Sequence, residues 1–172
     1  MKLLYTIGYG NDKPEQVIWR LKHYEIDYVI GIRRAGSRSW YGLYSPGNIG
    51  KFLIERAGIV TLEFYELGNT FPTLEEYSDW LETKDGEFHV TYMAAQILMQ
   101  GEKKGCLLCS EFRPVTEKGI RCHRVHVANA VVKKLNESDA AMRKWVVFHI
   151  LNPCPYCQER EIKKRYGKGK QA

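Results

Sequence analysis

The sequence predicts an α/β fold: a three-layer, single-domain sandwich with a mainly parallel, Rossmann-like sheet. Three observations carry the prediction. Short, almost wholly apolar runs recur along the chain, as expected of strands covered on both faces. Between them lie segments whose apolar residues fall at helical spacing. No internal repeat, low-complexity block or interdomain linker interrupts the alternation, and strands separated by helices imply a parallel sheet.

The elements follow in order. Leu3 to Gly8 reads as a buried strand. After Asn11-Asp12, Pro14 suits a first helical turn, and Val17, Ile18, Leu21 and Tyr24 form the apolar stripe behind it. Tyr28 to Ile32 is a second strand. Residues 33 to 50 hold four glycines, a proline and clustered Arg, Ser and aromatic residues, which predicts mostly loop. A helix from about Ile49 to Arg56 leads to a strand from Val60 to Tyr65. Thr73-Leu-Glu-Glu76 has the capping-box pattern, in which hydroxyl and carboxylate satisfy free backbone donors. Helices are expected over about Leu74 to Leu81 and Val90 to Met99. The Cys-rich strand comes next, then a long helix from Cys122 to Leu135 and a last strand from Trp145 to Ile150. Residues 1–151 form the α/β domain; residues 152–172 hold a Cys-Pro-Tyr-Cys segment and a basic tail.

At 172 residues the chain can bury about two-thirds of its unfolded surface without disulfide support. Five cysteines with no secretory leader argue for a reducing compartment, and the apolar stretch from Leu3 to Ile7 is too short for a signal sequence or a membrane span. The expectation is a cytoplasmic protein with no membrane partner. The net charge is +6 and the isoelectric point near 9.0. Arg160, Lys163, Lys164, Arg165, Lys168 and Lys170 supply much of the excess, in a tail that either touches nucleic-acid phosphates or is a solvated terminus.

Chemistry concentrates in Gly105-Cys-Leu-Leu-Cys-Ser-Glu-Phe112 and Arg121-Cys-His-Arg124. If strand and helix are neighbours in a βα unit, Cys109, Glu111, Cys122, His123 and Arg124 converge at the strand's C-terminal edge, where open α/β sheets bind ligands. Cys109 and Glu111 share one strand face and Cys106 takes the other, so Cys106 reads as core and the Cys106-x-x-Cys109 spacing does not make a zinc half-site. Cys109 is either core or a nucleophile; Glu111 is a general base or orients a cation. Cys122, His123 and Arg124 occupy a helical N-terminal turn, which favours anions and lowers a thiol's pKa. At 100° per residue the three cannot all face one way. His123 and Arg124 are read as catalytic or ligand groups, and Cys122 as nucleophile or packing residue. Arg33, Arg34 and Arg38, with Trp40 and Tyr41, follow a buried strand and form a candidate anion or nucleotide clamp on the same edge.

Cys154-Pro-Tyr-Cys157 looks like a glutaredoxin motif but follows the last strand rather than the first. As a zinc half-site it would need Cys122 and His126, spaced i, i+4, to complete a tetrahedral set. Inert reduced thiols are the other reading, and little zinc is expected in the purified protein.

Tyr5-Thr-Ile-Gly8, Gly31-Ile-Arg33-Arg34, the segment from Leu62 to Gly68, Leu108-Cys-Ser-Glu111 and Cys122-His-Arg124 together resemble, in this order, the signature segments of the domain of unknown function 488 family. The resemblance spans about residues 3 to 135 and implies the fold and the site's location; Gly8 and Tyr9 are further candidate ligand-binding residues. The chain departs from the pattern at Tyr9-Gly10, where the family has His-Ser, and at Gly31, where it has Asp.

The functional expectation is an enzyme acting on a nucleotide or other phosphorylated or anionic substrate. Arg33 and Arg124 would hold the anion, Glu111 and His123 would move protons, and Cys109 or Cys122 would be the nucleophile. The competing expectation is a non-catalytic nucleic-acid-binding module using the loop from Arg33 to Tyr41 and the basic tail. The oligomeric state is not legible in the sequence.

Overall fold

A computed structural model describes residues 1–10, 12–37, 42–111, 113–117, 119–138 and 144–151. Five strands form one sheet: β1 (Lys2–Gly8), β2 (Tyr28–Gly31), β3 (Val60–Glu63), β4 (Gly105–Cys109) and β7 (Trp145–Ile150). Their order is β3-β2-β4-β1-β7, and every pairing is parallel. A two-stranded hairpin, β5 (Val115–Thr116) with β6 (Gly119–Ile120), stands apart. No described helix is long and apolar enough to cross a membrane.

The period-two alternation along each strand sorts the core into two layers. Tyr5, Ile7, Val29, Cys106 and Leu108 pack against α1 (Pro14–His23) and α2 (Asn48–Ala57) through Val17, Leu21, Ile49 and Leu53. Leu4, Tyr28, Ile30 and Leu107 face α3 (Leu74–Leu81), α4 (Lys84–Met99) and α5 (His123–Ser138), meeting Tyr77, Val90, Met93, Val127, Val131 and Leu135. Each such aliphatic side chain, fully removed from water, contributes about 1.5–3 kcal/mol. Cys106 has no exposure and belongs to the α1–α2 layer, as its parity predicts, while Cys109 takes the opposite face.

This topology places the site. β4 lies between β1 and β2, yet the helix after β4 covers one face of the sheet while the helices after β1 and β2 cover the other. The chain therefore parts on either side of β4's C-terminal end, which is the switch-point geometry at which doubly wound sheets open a crevice.

Boundaries differ from expectation where packing overrides local pattern. β3 stops at Glu63, and a short 3₁₀ turn over Tyr65–Leu67 follows. The helix expected from Val90 begins at Lys84, capped by Thr83, whose hydroxyl accepts from the Gly86 amide. Gly86 is needed there because a Cβ would overlap the Trp80 carbonyl at the end of α3. Thr73 caps α3 as predicted, its Oγ1 accepting from Glu76 N at 3.1 Å.

Candidate active site at the C-terminal edge

Cys109 closes β4, and Cys122 immediately precedes α5, so the βα connection folds one thiol against the other. The Cys122 thiol donates to Cys109 Sγ across 3.3 Å, and both cysteines are free. His123, the first residue of α5, completes the group: its Nδ1 lies 3.8 Å from Cys109 Sγ, and its Nε2 lies 3.1 Å from the Ile32 carbonyl. A carbonyl only accepts, so Nε2 carries the hydrogen and Nδ1 is left as the ring's acceptor; the thiol sulfur sits almost midway between the two nitrogens, 4.0 Å from Nε2. The Tyr77 ring meets the imidazole edge-on at 5.6 Å, and the Tyr77 hydroxyl is tied to the Leu67 carbonyl at 2.6 Å. A thiol beside an imidazole that is itself held by a third group is the arrangement that activates a cysteine.

The electrostatics follow from this packing. The hydrogen bond from Cys122 holds the Cys109 thiol well below its ordinary range; burial opposes this, and His123 and the Glu111 amide reinforce it. Cys122, as the donor to that sulfur and largely buried, is pushed up. Burial alone would lower His123, but its hydrogen bond to Cys109 and that thiolate's charge raise it overall. The two thiols therefore titrate as a coupled pair, with the hydrogen bond from Cys122 favouring the ionised form of Cys109.

A pocket of about 380 Å³ opens above this cluster. Cys122 and His123 line it, together with Arg33, Arg34, Glu111, Arg121 and Ser110. Arg33 is half-buried and tightly placed: its guanidinium donates to the Tyr9 hydroxyl and, at 2.7 Å, to the Tyr44 carbonyl, and it lies over the Tyr9 ring. Arg34 and Glu111 are exposed. Arg121 and the Asn69–Pro72 segment were not singled out from sequence as site residues. Arg121 was legible as a neighbour of the Cys-His-Arg run. Asn69 follows Gly68, which packs so closely on the backbone of Arg33 and Arg34 that a Cβ would overlap it, and this contact brings residues 69 and 72 to the pocket.

Three expected ligand contacts lie elsewhere. Arg124 has no exposure; its guanidinium donates to the Glu111 carbonyl and lies 4.0 Å from Cys122 Sγ, so it braces the cluster from behind instead of reaching the pocket. Gly8 meets that brace: a Cβ there would overlap the Glu111 carbonyl and the Arg124 guanidinium, which leaves no room for a ligand. Tyr9 is only 3% exposed, stacked on Tyr44 at 4.1 Å, and serves to position Arg33. Arg38 lies outside the described residues, as do Trp40, Tyr41, the Cys154 to Cys157 segment and the basic tail. At Gly31, where the resembled family has a carboxylate, the Glu63 carboxylate from the neighbouring strand fills the space a side chain would need.

The residues able to hold a metal also differ from expectation. Ligand atoms of Cys109, Cys122 and His123 all lie within 4.8 Å of one another. His126 is not part of this group; it lines a larger depression of about 560 Å³ on the α3–α5 layer, with Leu81, Val90 and the paired Glu87 and Lys134. That depression is roomier, but among the described residues its lining includes no strand residue and no cysteine, whereas the smaller pocket lies against the thiol–imidazole cluster. Comparison with family models, with curated proteins and with solved structures finds no match.

Proposed function

We propose that the chain is an enzyme acting on a small phosphorylated or otherwise anionic substrate, a nucleotide being the leading class, at the C-terminal edge of the sheet. The observation that carries this reading is the placing of three arginines, Arg33, Arg34 and Arg121, around a pocket whose lining also includes Cys122 and His123. Guanidinium groups fork onto phosphate or carboxylate oxygens, so the rim selects for an anion. Arg33, already oriented by Tyr9 and Tyr44, binds with little further ordering. The reactive centre is the Cys109–Cys122–His123 cluster, with Cys122 and His123 toward substrate and Cys109 behind them. Glu111, an exposed residue of the pocket lining, is the group we assign to exchange protons with solvent and substrate.

The test is a thermal-shift panel of inorganic phosphate, pyrophosphate, nucleoside mono-, di- and triphosphates and simple sugar phosphates, followed by a turnover assay on whichever compounds bind. Specific binding raises the melting temperature with dose by mass action. E111Q should keep the shift and lose turnover. A panel in which nothing shifts the protein, or hits unchanged by E111Q in both binding and turnover, overturns the reading.

A further inference from the structure

We propose that Cys109, Cys122 and His123 form a binding site for a thiophilic divalent metal ion, zinc in the first instance, with three protein ligands and an open fourth position toward the pocket. Zinc bonds of about 2.3 Å to sulfur and about 2.0 Å to nitrogen, set at tetrahedral angles, place two ligand sulfurs about 3.8 Å apart and a sulfur and nitrogen about 3.5 Å apart. The corresponding separations here are 3.3 Å between the thiols and 3.8 Å between Cys109 Sγ and His123 Nδ1. The third pair, Cys122 Sγ and the His123 nitrogen, lies within 4.8 Å, so shifts on the order of an ångström at side-chain rotamers complete the site.

The surroundings are those of a ligand set. His123 presents Nδ1 because Nε2 is committed to the Ile32 carbonyl, the outer hydrogen bond that fixes tautomer and ring angle in metal-binding histidines. The Cys109 sulfur receives the Glu111 amide, and Arg124 stands 4.0 Å from the Cys122 sulfur, so each sulfur has a donor that supports its ionised form. Cys109 is sealed at the back, whereas Cys122 and His123 line the pocket, which leaves the pocket side for a fourth ligand. Sites with three protein ligands and one open position are the catalytic type, where the ion polarises a bound water or substrate oxygen. With the ion in place the thiols and imidazole act as ligands, and Glu111 remains as the proton-exchanging group. The inference deepens the reading of the pocket as a substrate site and rests on it only for what occupies the fourth position.

The experiment is a cobalt titration of the full reduced chain after chelator treatment, without substrate. One equivalent of Co²⁺ should give the near-ultraviolet sulfur-to-metal absorption and the strong visible bands of a tetrahedral ion, and one equivalent of Zn²⁺ should bleach them. C109S and C122S should weaken binding at least about 100-fold. The C154S/C157S double variant should titrate as the unsubstituted chain, which separates this site from the Cys-Pro-Tyr-Cys pair. Should C109S or C122S fail to fold, the double variant still decides the matter: one retained equivalent supports the site, and loss of the bands overturns it. Absence of a saturable one-to-one signal in the unsubstituted protein also overturns it, as does an air-formed Cys109–Cys122 disulfide that metal cannot prevent. Cobalt binding with a silent ligand panel would sink the substrate reading alone; ligand binding without cobalt binding would sink the metal site alone.

Discussion

The floor and the rim of the pocket are built on opposite principles. Cys109, Cys122 and Arg124 in the floor are almost fully buried and bond chiefly to one another and to backbone, whereas Arg34 and Glu111 at the rim reach into solvent. Between them stands Arg33, half-buried and strapped to Tyr9 and Tyr44. The floor thus belongs to the core and its residues affect folding, while the rim is free to be spent on binding. A sequence-adjacent run divides across this boundary: Cys122 and His123 line the pocket, and Arg124, one residue on, points into the interior.

The largest expected effect tests the floor. In R124M the Glu111 carbonyl loses its buried donor, at a cost of about 2–4 kcal/mol, and G8A, whose Cβ would overlap backbone, should cost about 3 kcal/mol or more. Urea denaturation measures both. If R124M unfolds at the unsubstituted midpoint, the brace has no structural weight and the division between floor and rim collapses.

Arg33 should fall between the two classes. R33A loses a hydrogen bond to a carbonyl and a contact with the Tyr9 ring, about 1–2 kcal/mol together, and also loses affinity for anions. Unchanged stability with lost binding would move Arg33 wholly to the rim.

A pH profile sharpens the floor further. His149 accepts or donates at Thr6 Oγ1 across 2.7 Å, and burial first, then the Arg124 charge, lowers its pKa below the ordinary 6.5. The folded chain therefore binds this proton less readily than the unfolded chain does. Stability from this group is intact above pH 6.5 and is lost as the pH falls from 6.5 through the lowered folded value. H149Q should remove that part of the acid-side decline; a melting-temperature profile superimposable on that of the unsubstituted chain below pH 6.5 would show that neither burial nor Arg124 holds down the His149 proton affinity.

How much of this was legible in sequence depended on how local each cause is. Strand parity separated Cys106 from Cys109, because alternation is a property of one strand. The Thr73 cap and the α3 boundaries were likewise written in four consecutive residues. Convergence of Cys109, Cys122 and His123 followed from the βα unit. What could not be read was the rotation of α5 about its axis: helical spacing shows that Cys122, His123 and Arg124 diverge, but only docking on β1 and β4 decides that Arg124 turns inward. Gly8 and Tyr9 read as candidate ligand-binding residues in the sequence, yet the close approach of the Glu111 carbonyl and the stacking on Tyr44 are tertiary events. The β5–β6 hairpin escaped notice because two-residue strands carry no periodicity.

The smallest expected effect on stability belongs to the rim. R34A and E111A, at exposed positions, should each stay within about 0.5 kcal/mol of the unsubstituted chain. A larger loss would mean that the rim, too, is part of the core.

The central claim, that the arginine rim binds an anion over the thiol floor, is tested most directly by calorimetric titration of pyrophosphate into the unsubstituted chain and the R34A/R121A double variant at one salt concentration. The account predicts saturable one-to-one binding in the first and at least a tenfold weaker affinity, about 1.4 kcal/mol, in the second, with both proteins melting alike. Equal affinity in the two proteins, or no saturable binding in either, would contradict it.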